Sequence, residues 1–159
     1  MERIALFAGS FDPITAGHEA LVRRALPLFD HIVVAIGENT QKQSRYTLSQ
    51  RKEWIRRTFA DCPTVAVDSY SGLTADYCRC HGIGYLLRGL RGGSDFAYEE
   101  TIALTNRLVA PDLETIFLLS EARYNAISSS MVHELLIFGH DVAEYLPIAI
   151  REDFATPHQ

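Results

Sequence analysis

Short apolar runs alternate with helix-patterned stretches along the whole chain, and this alternation constrains the fold more than any other feature. Ile4 to Ala8, His31 to Gly37, Thr64 to Asp68, Tyr85 to Leu87 and Glu114 to Leu119 have the length and composition of buried strands. Helical patterns occupy residues 18–29, 47–61, 73–82, 94–109 and 128–138. Strand and helix in strict alternation predict an α/β fold: a Rossmann-like parallel sheet with helices on both faces, joined by right-handed crossovers. The 159 residues suit a single domain, residues 1–159, with a frayed tail over 155–159.

Local signals agree with the period. Thr47 and Gln50 have capping-box spacing, which starts a helix by satisfying two orphan N–H groups. In the first helix Leu21, Val22, Ala25 and Phe29 recur at three- and four-residue steps, and Pro27 tightens or ends its last turn.

Composition excludes several classes. Hydrophobic residues make up 47% of the chain, too many for intrinsic disorder, yet no apolar run is long enough for a membrane span. The N-terminal residues lack a secretion signal, so the expected location is cytoplasmic. Twenty acidic against fifteen basic residues give a net charge of -5, which disfavours nucleic acid as a partner and makes any phosphate site local. Cys62, Cys78 and Cys80 read as reduced thiols; Cys78 and Cys80, two apart on a helix, do not complete a metal site, and no metal ligands are assigned.

Three segments carry chemistry. Gly9 to His18 (GSFDPITAGH) follows the first strand and opens the first helix, where backbone N–H groups and a helix N-terminus collect phosphate. It is neither a G-x-G-x-x-G fingerprint nor a P-loop. Taken alone, His18 reads as a capping histidine in a turn. Arg88 to Glu99 (RGLRGGSDFAYE), placed after the fourth strand, offers two guanidiniums beside glycines and suits an oxyanion; a solvated basic loop is the alternative. Tyr124 to Ser130 (YNAISSS) ends in serines at a helix start, which either cap the helix or bind an anion. All three lie at strand-to-helix junctions, so a parallel sheet gathers them at one edge. Lys42, in the polar stretch after the second strand, could join them as a flexible cation.

Thr15-Ala-Gly-His18 matches the T/H-x-G-H signature of nucleotidyltransferases. With GSFDPITAGH, RGLRGGSDFAYE and ISSS in this order and spacing, the chain resembles bacterial phosphopantetheine adenylyltransferases from Arg3 to about Pro147. The resemblance implies transfer of the adenylyl group of ATP to 4'-phosphopantetheine, giving dephospho-coenzyme A and pyrophosphate. By resemblance His18, Lys42 and Arg88 are catalytic, and Ser10, Lys42, Thr74 and Arg88 line the phosphopantetheine side. ATP is held by Ser10, Phe11, His18, Gly89, Leu90, Arg91 and Glu99, with Tyr124, Asn125, Ala126, Ile127, Ser128, Ser129 and Ser130. Asp12 and Thr15 are left to shape the loop.

The resemblance further implies Mg2+ carried mainly on the ATP phosphates, a homohexamer, and coenzyme A feedback binding as a question to be put to the same site. Three positions depart from the family pattern: Ala8 replaces a common proline, and Thr40 and Tyr46 replace the usual proline and phenylalanine around Lys42. The nearest alternatives are a nicotinamide-mononucleotide adenylyltransferase or a glycerol-3-phosphate cytidylyltransferase, against which Arg88 to Glu99 argues. A nucleotide-sensing module without turnover is the alternative of another class, and intact His18, Lys42 and Arg88 argue against it.

Overall fold

The structure is a computed structural model and describes residues 1–39 and 41–155. Five parallel strands, β1 (Ile4–Gly9), β2 (His31–Glu38), β3 (Val65–Ser71), β4 (Tyr85–Leu90) and β5 (Glu114–Leu119), form one sheet in the order β3-β2-β1-β4-β5. Helices α1 (Ala16–Ala25), α2 (Leu48–Thr58), α3 (Thr74–Cys80), α4 (Gly93–Val109) and α5 (Ser129–Ile137) connect or follow them. The expected Rossmann-like sheet is therefore present. No helix among the described residues is long and apolar enough to cross a membrane.

Side-chain alternation divides the core. Along β1, Ala5 and Phe7 join the larger cluster beneath α1 and α2, while Leu6 joins the cluster containing Ala75 and Cys78 of α3. β1, β2, β3 and β4 thus feed both faces, while β5 gives Ile116 and Leu118 to the larger cluster.

Two boundaries differ from the expectation in ways that matter. β3 runs on through Ser69, Tyr70 and Ser71, which pair with Ile36, Gly37 and Glu38; ladder hydrogen bonds to β2 hold this polar run although it lacks an apolar pattern. β4 continues through Arg88, Gly89 and Leu90, paired with Phe117, Leu118 and Leu119, so Arg88 lies within a strand and not in the loop after it. The first helix ends sooner than its apolar period, at Ala25, and a 3-10 turn over Leu26–Leu28 carries Pro27. The Thr47–Gln50 capping box forms as read. The expected frayed tail lies, beyond Ala155, outside the described residues.

The chain winds outward from β1 to β3 on one side and from β4 to β5 on the other. The reversal falls between β1 and β4, and the crevice beyond their carboxyl ends is where such sheets bind ligands.

Candidate active site

A crevice of about 450 Å³ opens at this point, lined by Gly9 at the end of β1, by Ser10 and Phe11 after it, by His18 on α1, and by Arg88 and Gly89 of β4. Arg91 and Glu99 close it from the α4 side, and Tyr124, Ile127 and Ser129 from the segment before and into α5. Ten of the residues expected at the site thus meet in one place. Lys42 and Ser130 line an adjoining hollow of about 340 Å³ that shares Ser10 and Ser129 with the first.

The rest stand apart from these walls. Thr74 starts α3, its hydroxyl 2.8 Å from the Tyr70 phenol. Tyr70 in turn lies near Arg88. Leu90 is buried and Ser128 is the N-cap of α5, its Oγ accepting the Met131 N–H at 3.1 Å. Asn125 and Ala126 are exposed on the turn before that helix. Thr40 lies outside the described residues.

His18 forms the cap and also lines the crevice. The Thr15 hydroxyl accepts the His18 N–H, and His18 Nδ1 accepts the Thr15 N–H at 3.0 Å, a reciprocal cap on α1. A backbone N–H can only donate, so Nδ1 must be the unprotonated nitrogen. In the neutral ring the proton therefore sits on Nε2, which has no partner among the described residues. Phe7 and Phe11 pack around the imidazole with ring centroids 6.1 and 5.1 Å away. Burial first, then the charges of Arg91 and Arg88, push the His18 pKa down to about 4. At neutral pH the crevice meets a ligand with a fixed, uncharged N–H donor.

Arg88 is less free than a loop arginine would be. Its Nε and Nη2 bind the Glu99 carboxylate at 2.8 and 2.7 Å, and Nη1 donates to the Ala8 carbonyl at 3.1 Å. The Glu99 bond, more than the opposing burial, raises the arginine pKa further and keeps it charged. One N–H on each terminal nitrogen is left for a ligand. Glu99 is the one buried side chain of α4, so this pair also docks the helix on the sheet.

Gly89 has its own reason. A Cβ there would come within 2.7 Å of Leu21 Cδ1, so any side chain at this position requires the Leu21 side chain of α1 to move aside. On the opposite wall Ser129 Oγ gives its proton to the Pro13 carbonyl at 2.7 Å.

Sequence reasoning missed several wall residues. Asp95 accepts the Arg91 N–H at 3.1 Å, and Tyr98 and Ser120 also face the crevice. Asp95 stands four residues after Arg91, a spacing that could have suggested it. Nothing local marks Ser120. Cys62 and Cys78 are buried and Cys80 is exposed, with burial pushing the Cys78 thiol up to about 11. Among the described residues no three His, Cys, Asp or Glu side chains group to hold a metal ion.

Residues 6–135 match the cytidylyltransferase-like family. The phosphopantetheine adenylyltransferase of Flavobacterium psychrophilum is 47% identical over 149 residues, covering 94% of this chain and 98% of its own. The enzyme of that name from Carboxydothermus hydrogenoformans is 43% identical over 156 residues, 96% of each chain. A putative nicotinate-nucleotide adenylyltransferase from Vibrio parahaemolyticus superposes with a TM-score of 0.68 at 16% identity, over 97% of this chain and 99% of that one. A bifunctional NMN adenylyltransferase/ADP ribose pyrophosphatase from Francisella tularensis, solved with AMP and a manganese ion, gives the same score at 16% identity; the match covers 92% of this chain and 44% of that longer one. At such identity these structures speak for the fold alone.

Proposed function

The chain belongs to the phosphopantetheine adenylyltransferase family, within the cytidylyltransferase-like group, and from that premise we propose how its crevice carries out adenylyl transfer. An oxygen of the 4'-phosphate of phosphopantetheine attacks the α-phosphorus of ATP. The new P–O bond forms as the bond to the β-phosphate oxygen breaks, and pyrophosphate leaves on the opposite side. The products are dephospho-coenzyme A and pyrophosphate, and no enzyme nucleophile takes part. Two anions must meet in line, so the protein's work is positioning and charge stabilisation.

The observation that carries this reading is the fixed tautomer of His18. Its Nε2–H donates to an α-phosphate oxygen, and the bond strengthens as negative charge gathers there in the transition state. Arg88, held by Glu99, faces the attacking phosphate with its two remaining N–H groups, and Lys42 approaches from the adjoining hollow. Arg91 faces the β- and γ-phosphates.

At the start of α5 the donors divide unequally. Ser129 has spent its hydroxyl proton on Pro13, whereas Ser128 accepts at Oγ and keeps its own O–H to donate. The departing pyrophosphate is therefore met by the orphan N–H groups of the first turn, beside Ser129 on the crevice wall, with the Ser130 hydroxyl in the adjoining hollow; the Ser128 hydroxyl stays at the N-cap, off the crevice wall. Magnesium brought in with ATP would supply further charge neutralisation. The crevice suits an ion carried in by its ligand, because it presents mainly hydroxyl and N–H groups and its buried carboxylate is taken by Arg88.

The reading extends to a cytoplasmic homohexamer and to coenzyme A competing for the same crevice. Light scattering counts the copies, and titration of coenzyme A against ATP tests the competition. The deciding assay offers the pure protein ATP and magnesium with 4'-phosphopantetheine, nicotinamide mononucleotide or glycerol-3-phosphate in turn and follows pyrophosphate. Release with phosphopantetheine alone is expected. Release only with another acceptor, or tight ATP binding without any turnover, overturns the reading.

A further inference from the structure

Arg51, on α2, is 6% exposed, and its hydrogen bonds among the described residues go only to two backbone carbonyls. A guanidinium stays charged in any protein environment, so its burial has a cost that needs an explanation. The acceptors supply one. Nη1 donates to the Ser10 carbonyl at 2.8 Å and Nε to the Tyr46 carbonyl at 3.1 Å. One side chain thus spans the loop after β1 and the segment after β2 that bears Lys42.

The same two segments are tied a second time, with the charge reversed. The Asp12 carboxylate accepts the Arg45 N–H at 2.8 Å and the Tyr46 N–H at 3.0 Å. A cation takes carbonyls of both segments, and an anion from one segment takes N–H groups of the other. Charge-assisted bonds of this kind are about twice as strong as neutral ones.

The bond to Ser10 has a directional consequence. The Ser10–Phe11 peptide is trans, so its N–H points opposite to the carbonyl that Arg51 holds. That N–H has no acceptor among the described residues, and Ser10 and Phe11 both line the crevice. A guanidinium on the carbonyl polarises the peptide and makes the N–H a stronger donor. Phe11 itself holds a φ of 42°, a left-handed conformation uncommon outside glycine, which needs support from its surroundings.

We propose that Arg51 is a positioning residue for adenylyl transfer: it fixes the Phe11 N–H toward the reacting phosphates and holds the Lys42 segment in register with it. Arg51 touches no substrate and acts through these two segments. The inference rests on the activity proposed above.

A double-mutant cycle tests it, because a group that acts by placing Lys42 loses most of its effect once Lys42 is gone. Arg51→Met should lower kcat/KM about 10²-fold, the penalty for misplacing a reacting group by an ångström. In a Lys42→Ala background the same change should cost less than about tenfold. Arg51→Lys, able to reach one carbonyl, should fall between wild type and Arg51→Met. Additive losses in the two backgrounds, with melting curves showing every variant folded, would show that Arg51 does not place Lys42 and overturn the proposal. Should Arg51→Met not fold, Asp12→Asn weakens the same tie from the other side and enters the same cycle, where additivity overturns it equally. Wild-type protein that releases no pyrophosphate from ATP and phosphopantetheine sinks the reaction itself, a result separate from either outcome.

Discussion

The two walls of the crevice are built on different principles. On the β1 side, Phe11, Ile14 and Thr15 are buried to within 2% exposure, and the loop is bonded to Arg51, His133 and Ser129 from α2 and α5. On the other side α4, seventeen residues long, buries only Glu99 and leaves Phe96, Tyr98, Leu104 and Leu108 exposed. One wall is a packed core that holds the phosphate-facing groups still. The other is joined to the sheet by the Arg88–Glu99 pair that also sets Arg88, by the Arg107–Glu114 pair and by Phe96 packed against Phe117. Defects in the first should appear in the chemical step, and defects in the second in binding and in the docking of a helix.

The largest effect should come from the rigid wall. His18→Ala should lose on the order of 10²–10³ in kcat, as removal of one oxyanion donor does, with a much smaller change in ATP affinity. Because His18 also caps α1, the variant should lose about 1 kcal/mol of stability as well. Steady-state kinetics and a melting curve on one preparation read both. Near-normal kcat with a lowered Tm would reduce the histidine to its cap.

Glu99→Gln tests the looser wall. With its carboxylate gone, Arg88 keeps its charge but loses its fixed direction, and kcat/KM should fall about tenfold to a hundredfold. Stability should drop by about 1–3 kcal/mol, below the full penalty for a broken buried pair because the Arg88 side chain is 31% exposed. Unchanged kinetics would mean that Arg88 needs no partner to do its work.

Arg91→Ala should raise the KM for ATP by about tenfold and alter phosphopantetheine binding less, since one charge-assisted phosphate contact is lost. Separate titrations of the two ligands decide it. Loss confined to phosphopantetheine would show that the two sides of the crevice are reversed.

Acid should find the rigid wall as well. His18 titrates near 4 in the folded chain and at its ordinary 6.5 when unfolded, so between these values only the unfolded chain takes up the proton. The stability tied to the neutral ring is therefore complete above about pH 6.5 and is lost as the pH falls toward 4, a change of about 3 kcal/mol at most. Melting curves over this window should fall more steeply for wild type than for His18→Gln. Parallel curves would refute the assignment.

The smallest effect is expected far from either wall. Cys78→Ser with Cys80→Ser should keep kcat and lower Tm slightly through the buried hydroxyl, and elemental analysis should find no stoichiometric zinc. One zinc per chain, lost in the double variant, would contradict the reading of these thiols.

What could be read from the residues alone was whatever depends on near neighbours in the chain. Alternating apolar runs predict the parallel sheet, Thr47 and Gln50 predict a helix start, and three motifs at strand ends predict a shared edge. Each rests on a repeat or spacing of a few residues, and each appears in the fold. Partners remote in sequence could not be read this way. Arg88 looked like a loop residue because Gly89 and Gly92 follow it, yet ladder pairing with Phe117 draws it into β4 and sets it against Glu99. Nothing in its neighbouring residues singles out Arg51 on α2. Only the packing of α2 against the sheet brings it to a carbonyl 41 residues away. His18 lies between the two cases. Its cap on Thr15 is a matter of three residues, but the aromatic rings and the two arginines that keep its ring neutral come together only in the folded crevice, where burial turns separate side chains into one electrostatic environment.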